Sequence, residues 1–203
     1  MTYDPVRHDR RSIRLTNYDY TQPGAYFVTI VTARRDHLFG EILNEVMCLN
    51  MFGQIASEEW YKTAEVRSYI RLMSDEFIVM PNHIHGIIRI LNQPVGATRR
   101  VAPTKIPHGP QAGSIGAVIA QYKSIVTKRI NEHRNTSGVS VWQRNYWEHV
   151  IRNERALDAV RRYITENPRR WDLDRYNANA TGKDPLAEEI RHTSRASTRR
   201  SIK

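Results

Sequence analysis

The chain has 203 residues, 40% of them apolar and 26% charged, which is enough to build a core and excludes global disorder. Lys plus Arg exceed Asp plus Glu by 31 − 21 = 10 and the pI is near 10.0, a surplus that favours a polyanionic partner, nucleic acid above all. Cys48 is the single cysteine, so a disulfide framework and a cysteine-based zinc site are excluded. No run approaches the roughly 18 apolar residues of a membrane span, and the first residues lack the apolar stretch of a secretory signal. The expectation is a reduced, cytosolic compartment.

Residues 1–23 read as a polar, basic lead-in. "AYFVTIVTA" (25–33) is β-branched and aromatic and reads as a strand buried on both faces. A turn follows, closed by Gly40-Glu41. Met51, Ile55, Trp60 and Ala64 then fall near helical spacing despite Gly53. "EFIVM" (76–80) reads as a second core strand, Pro81-Asn82 as a breaker pair, and "HIHGIIRI" (83–90) as a third strand.

Residues 92–113 hold four prolines and three glycines with no apolar period, which marks an insertion loop. From Ser114, a plausible N-cap, Ile115, Val118, Ile119, Tyr122, Ile125 and Val126 form a helical stripe. "VSVWQRNYWEHVIR" (139–152) reads as a further strand or edge. Asn153 caps a helix that runs to Asn167, where Pro168 stops it. Residues 176–203 read as a basic, disordered tail. The pattern predicts one α+β domain over 24–175 with a mostly antiparallel sheet.

"VMPNHIHGIIRI" (79–90) carries the first chemical signal. In a strand, His83 and His85 point to one face and Ile84 to the other. Two imidazoles so placed can share one divalent cation, leaving open positions suited to catalysis on a phosphate. Two surface histidines at a strand entry would look the same. On the last predicted helix, Tyr163 and Asn167 are four apart and share a face. Asn167 can offer an amide oxygen to a hard cation, and tyrosine is a competent nucleophile at phosphorus. The apolar neighbours Ala156, Ala159, Val160 and Ile164 allow Tyr163 to be core instead. Tyr122, inside its aliphatic stripe, reads as packing.

The candidate nucleic-acid contacts are Arg99, Arg100 and Lys105 in the insertion, Arg144 between the aromatic residues, and Arg161 and Arg162 on the helix. Trp142, Tyr146 and Trp147 suit either base stacking or a packed sheet edge, and His149 either a supporting role or an ordinary satisfied histidine.

"MPNHIHGII", "VWQRNYWEHVIRNE" and "YITENP", in this order, resemble the single-tyrosine HUH transposases, most of all the REP-associated tyrosine transposases of bacteria. HUH denotes histidine, bulky apolar residue, histidine. The resemblance, over residues 26–171, implies a ferredoxin-like domain with the histidines on a central strand and the tyrosine on a C-terminal helix. It implies Mg2+ or Mn2+ held by His83, His85 and Asn167, and Tyr163 as nucleophile. It further implies nicking and rejoining of single-stranded or hairpin DNA through a 5′-phosphotyrosine. Monomer and homodimer both stay open. A metal phosphodiesterase using water and a non-catalytic single-strand-binding module are the rival readings.

Overall fold

The computed structural model describes residues 18–92 and 110–198, with side chains through Arg191. In chain order the elements are β1 (Gly24–Val31), the hairpin strands β2 (Gly40–Leu43) and β3 (Val46–Leu49), α1 (Met51–Glu65), the short β4 (Ile70–Arg71), β5 (Phe77–Met80), β6 (His83–Ile90), α2 (Ile115–His133), β7 (Trp147–Ile151), α3 (Glu154–Glu166) and α4 (Pro185–Thr198). The main sheet has the order β4-β6-β1-β7, and β5 pairs with β6 as well. Every pairing is antiparallel, and β1 runs beside β6 from Gly24↔Ile90 to Val31↔His83. The fold is α+β with an antiparallel sheet, as the patterning predicts.

Strand alternation divides the interior into two cores. Tyr26, Val28, Ile30, Ile84, Ile88 and Ile90 pack against α1 and α2. Phe27, Ile87 and Ile151 pack against α3 and Ile190 of α4. Full burial of one such isoleucine contributes about 1.5–3 kcal/mol. Gly86 belongs to the first face because the Trp60 indole lies flat over it, stacked on Phe77 at 4.5 Å; a methyl at Gly86 would collide with that ring. Gly53 is tolerated inside α1 because a methyl there would meet the Phe39 carbonyl.

The starts of α2 and α3 follow the predicted caps, Ser114 and Asn153, whereas the cap of α1, Asn50, was not foreseen. Asn50 accepts from the amides of Phe52 and Gly53, Ser114 from Ala117, and Asn153 from Ala156. Removing such a cap typically costs about 1 kcal/mol.

The turn after β1 ends at Gly40, where β2 begins; the β2–β3 hairpin beyond it, with its two-residue turn at Asn44-Glu45, both with positive φ (49° and 64°), was not foreseen. Three expectations need correction. The segment 139–152 is a strand only over Trp147–Ile151, with a lone bridge from Trp142 to Thr32. Trp142 is no stacking surface for bases. It is 5% exposed and packs on Phe39 and Tyr122 at ring distances of 5.2 and 5.9 Å. The predicted tail beyond residue 175 is ordered far into its length: Tyr176, Asn177, Asp184 and Ile190 are buried, and α4 follows. The segment's charge masks a short apolar stripe, Leu186, Ala187 and Ile190, that covers α3 and the adjoining sheet face. Asp184 caps α4 through the Leu186 amide at 2.9 Å. The candidate contacts Arg99, Arg100 and Lys105, and most of the 92–113 insertion, lie outside the described residues.

Candidate active site

His83 and His85 leave β6 toward α3 and are 0% and 1% exposed. Their Nε2 atoms face each other at 3.0 Å. Asn82, a breaker residue in the sequence, orients the first ring. Its amide donates to the carbonyls of Arg35 (3.1 Å) and Tyr176 (2.8 Å), so its Oδ1 accepts from His83 Nδ1 at 2.9 Å. That places the His83 lone pair on Nε2, toward His85. His85 Nδ1 is 2.9 Å from the Thr29 hydroxyl of the neighbouring strand.

Burial, with the nearby Arg175 charge, lowers the His83 pKa to about 3. His85 is also pushed well below its ordinary value, by burial first and then by His83. Both imidazoles are neutral at pH 7, the form that ligates metals.

Asp174 supplies the third group, which the sequence reading missed. It is 1% exposed, and its Oδ2 lies 3.7 Å from His83 Nε2. His83, His85 and Asp174 each offer a ligand atom within 4.8 Å of the others. Ligands about 2.1 Å from a common ion stand about 3.0 Å apart at a right angle and about 4.2 Å apart across it. The observed 3.0 and 3.7 Å fit that range, so the residues fit a divalent cation. Asn167, buried at the end of α3, donates to Asp174 Oδ2 at 3.3 Å, while its own Oδ1 finds no hydrogen-bond partner among the described residues. Asp174 follows a short turn after Pro168 and carries no spacing relation to the histidines, so no sequence motif pointed to it.

The Tyr163 hydroxyl lies 3.2 Å from His85 Nε2. Burial, together with the charges of Asp174 and Asp184, raises its pKa well above the ordinary value, partly offset by a hydrogen bond from Asn167. Phe27 packs edge-on to its ring at 6.1 Å. The cavity beside the phenol is lined by Thr29, Trp147, Arg175, Tyr176, Ile190 and Arg191 among others, and its free volume of about 30 Å³ suits a single water. Tyr122 sits on the opposite side of the sheet, where its hydroxyl donates to the Ala56 carbonyl at 2.9 Å.

The remaining candidates separate. Trp147 borders the cavity and stacks on His149 at 6.1 Å; burial lowers the His149 pKa to about 4. Arg144 is exposed. Arg161 and Arg162 are held by carboxylates, Glu76 at 2.8 Å and Glu189 at 2.6 Å.

No family model matches the chain. An uncharacterised protein of Haemophilus influenzae is 37% identical over 175 residues, covering 85% of this chain and 95% of that protein. A second protein of that organism, provisionally named a REP-associated tyrosine transposase, is 25% identical over 158 residues, 76% of each chain. Among solved structures, a REP-associated tyrosine transposase bound to a REP hairpin aligns with a TM-score of 0.48 at 18% identity, over 76% of this chain and 72% of that one. A provisionally named transposase from Deinococcus radiodurans aligns with a TM-score of 0.37 at 13% identity, over 75% and 95%. Over about three quarters of its length the chain is thus similar in sequence to a protein provisionally named a REP-associated tyrosine transposase.

Proposed function

We propose that the protein nicks and rejoins single-stranded or hairpin DNA through a covalent tyrosyl intermediate. The observation that carries this reading is the Tyr163 hydroxyl 3.2 Å from His85 Nε2, in one cavity with His83 and Asp174. In the forward step the Tyr163 oxygen loses its proton and bonds to phosphorus. The bond from phosphorus to the 3′-oxygen breaks, and that oxygen leaves as a 3′-hydroxyl after taking up a proton. Attack by a 3′-hydroxyl on the phosphotyrosine reverses the step without ATP.

A divalent cation, Mg2+ or Mn2+, held by His83, His85 and Asp174, with the Asn167 amide oxygen as a further donor, would stabilise charge on the phosphoryl oxygens and ease loss of the phenolic proton. Asn82 and Thr29 hold the two imidazoles in place. Tyr163, His83 and His85 are at most 4% exposed, so Tyr176, Ile190 and Arg191 must shift for a phosphodiester to enter. The antiparallel order β4-β6-β1-β7, with helices after the first and third of its long strands, supports the ferredoxin-like reading. The basic surplus and the half-buried Trp147 at the cavity favour unpaired DNA, whose bases can stack.

The test is incubation with single-stranded hairpin oligonucleotides and manganese, followed by a denaturing gel. A protein band shifted by attached DNA is expected. Cleavage without that band means water is the nucleophile, and binding without cleavage means a binding module; either overturns the reading. Equal cleavage of a blunt duplex and a matching hairpin overturns the substrate preference.

A further inference from the structure

We infer that Arg35, Arg175 and Arg191 form a clamp at the mouth of the Tyr163 cavity for a phosphate of single-stranded DNA next to the scissile one. The inference rests on the nuclease reading for its choice of ligand, and its geometry stands independently. The three guanidinium groups come from separate parts of the chain: the turn after β1, the residue following Asp174, and α4. Arg175 and Arg191 line the same cavity as His85 and Tyr163. Arg175 and Arg35 approach one buried ring, Tyr176, with Cζ 5.0 and 5.7 Å from its centroid.

Their charge is weakly compensated. Among the described residues, neither Arg35 nor Arg175 has a carboxylate partner, and Arg191 holds only Glu188, one turn away on a solvent-facing side (2.9 Å). Such an exposed pair contributes little. The nearby buried acids are committed elsewhere, Asp174 toward His83 and Asp184 to Arg170 at 2.7 Å. The contrast with Arg89, Arg129, Arg161 and Arg162, all held by carboxylates, is direct. Two cations line the cavity and a third lies beside the Tyr176 ring that borders it; like charges so placed favour an anion among them, and the planar guanidinium fork matches a phosphate.

Two features tie the clamp to the site. The Asn82 amide that orients His83 bonds the backbone carbonyls of both Arg35 and Tyr176, so the arginine turn and the histidine are set by one side chain. Arg35 also has φ 62°, a left-handed backbone in which glycine or asparagine is cheaper. An arginine kept at a backbone position that costs energy fits a role for its side chain.

The experiment measures binding of a fluorescent single-stranded oligonucleotide by anisotropy across a salt series, in EDTA so that no cleavage occurs. Arg35→Ala, Arg175→Ala and Arg191→Ala should each weaken binding several-fold and lower the slope of log affinity against log salt by about 0.7, the value for one lost phosphate contact on a single strand. Lys128→Ala, on α2 across the sheet, should leave the slope unchanged. Arg35→Gly should lose affinity while its thermal midpoint does not fall, which separates a ligand contact from a structural one. Slopes and affinities in the arginine variants equal to those of Lys128→Ala overturn the clamp. Covalent adduct assays of the wild type run alongside: a normal salt effect without adduct keeps the clamp and rejects the nuclease reading, whereas adduct formation with unaffected binding does the reverse.

Discussion

The Tyr163 hydroxyl lies 3.2 Å from Nε2 of His85 although the residues are 78 apart in sequence. Phe27 and Ile87 of the sheet pack against Val160 and Ile164 of α3, and that core sets the distance. Tyr163→Phe removes only the hydroxyl, so the DNA adduct should disappear while the fold and strand binding persist. Tyr122→Phe should keep the adduct, at a cost of about 1 kcal/mol for its lost hydrogen bond. Mass spectrometry of the DNA-linked peptide checks both; a cross-link on Tyr122 rejects the assignment.

The metal set predicts a graded response. His83→Ala and His85→Ala should abolish cleavage and leave much of the salt-dependent strand binding. Asp174→Asn keeps the shape but removes the charge, and should weaken manganese binding more than Asn167→Ala does. Asn82→Ala, which frees the His83 ring, should cost roughly 10–100-fold in metal affinity. Calorimetric titration of the metal-free protein with Mn2+ measures each. Wild-type affinity in Asp174→Asn would remove that residue from the site.

Glu76 should matter for stability far from the chemistry. It is fully buried and joins Arg89 of β6 (2.5 Å) to Arg161 of α3 (2.8 Å), one carboxylate shared by the histidine strand and the tyrosine helix. Glu76→Ala leaves two arginines without their partner and should destabilise by about 3 kcal/mol, near the lower end for breaking a buried pair because both arginines are partly exposed. Urea unfolding reads the change. A loss below about 1 kcal/mol would show that the arginines simply turn to solvent.

His149 gives a pH dependence with a definite sign. Its folded pKa is about 4, below an unfolded value of about 6.5. The unfolded chain therefore binds the extra proton between these values. The stabilisation is complete above about pH 6.5 and is lost as pH falls toward 4. His149→Phe, which retains stacking on Trp147, should flatten the stability profile in that window by up to about 1.4 kcal/mol per pH unit. An unchanged slope in urea melts would assign the titration to other groups.

Local pattern and periodicity determined much by themselves. The strands that became β1, β5 and β6, the helix α1, the capped helices α2 and α3, the shared face of His83 and His85, and the placement of Tyr163 on a helix all follow from local pattern, mostly spacings of two or about four residues. Such rules act between near neighbours, so they show which side chains share a face but not what that face meets. Only the tertiary structure brought Asp174 to the histidines and Asn82 to the carbonyls of Arg35 and Tyr176. It also turned Trp142 into the core and gave Arg161 to Glu76. Residues 185–191 look polar along the chain, yet Leu186, Ala187 and Ile190 found an apolar surface to cover once α3 and the sheet were assembled. Burial is a property of the completed packing, and a short stripe among charges acquires its partner only there.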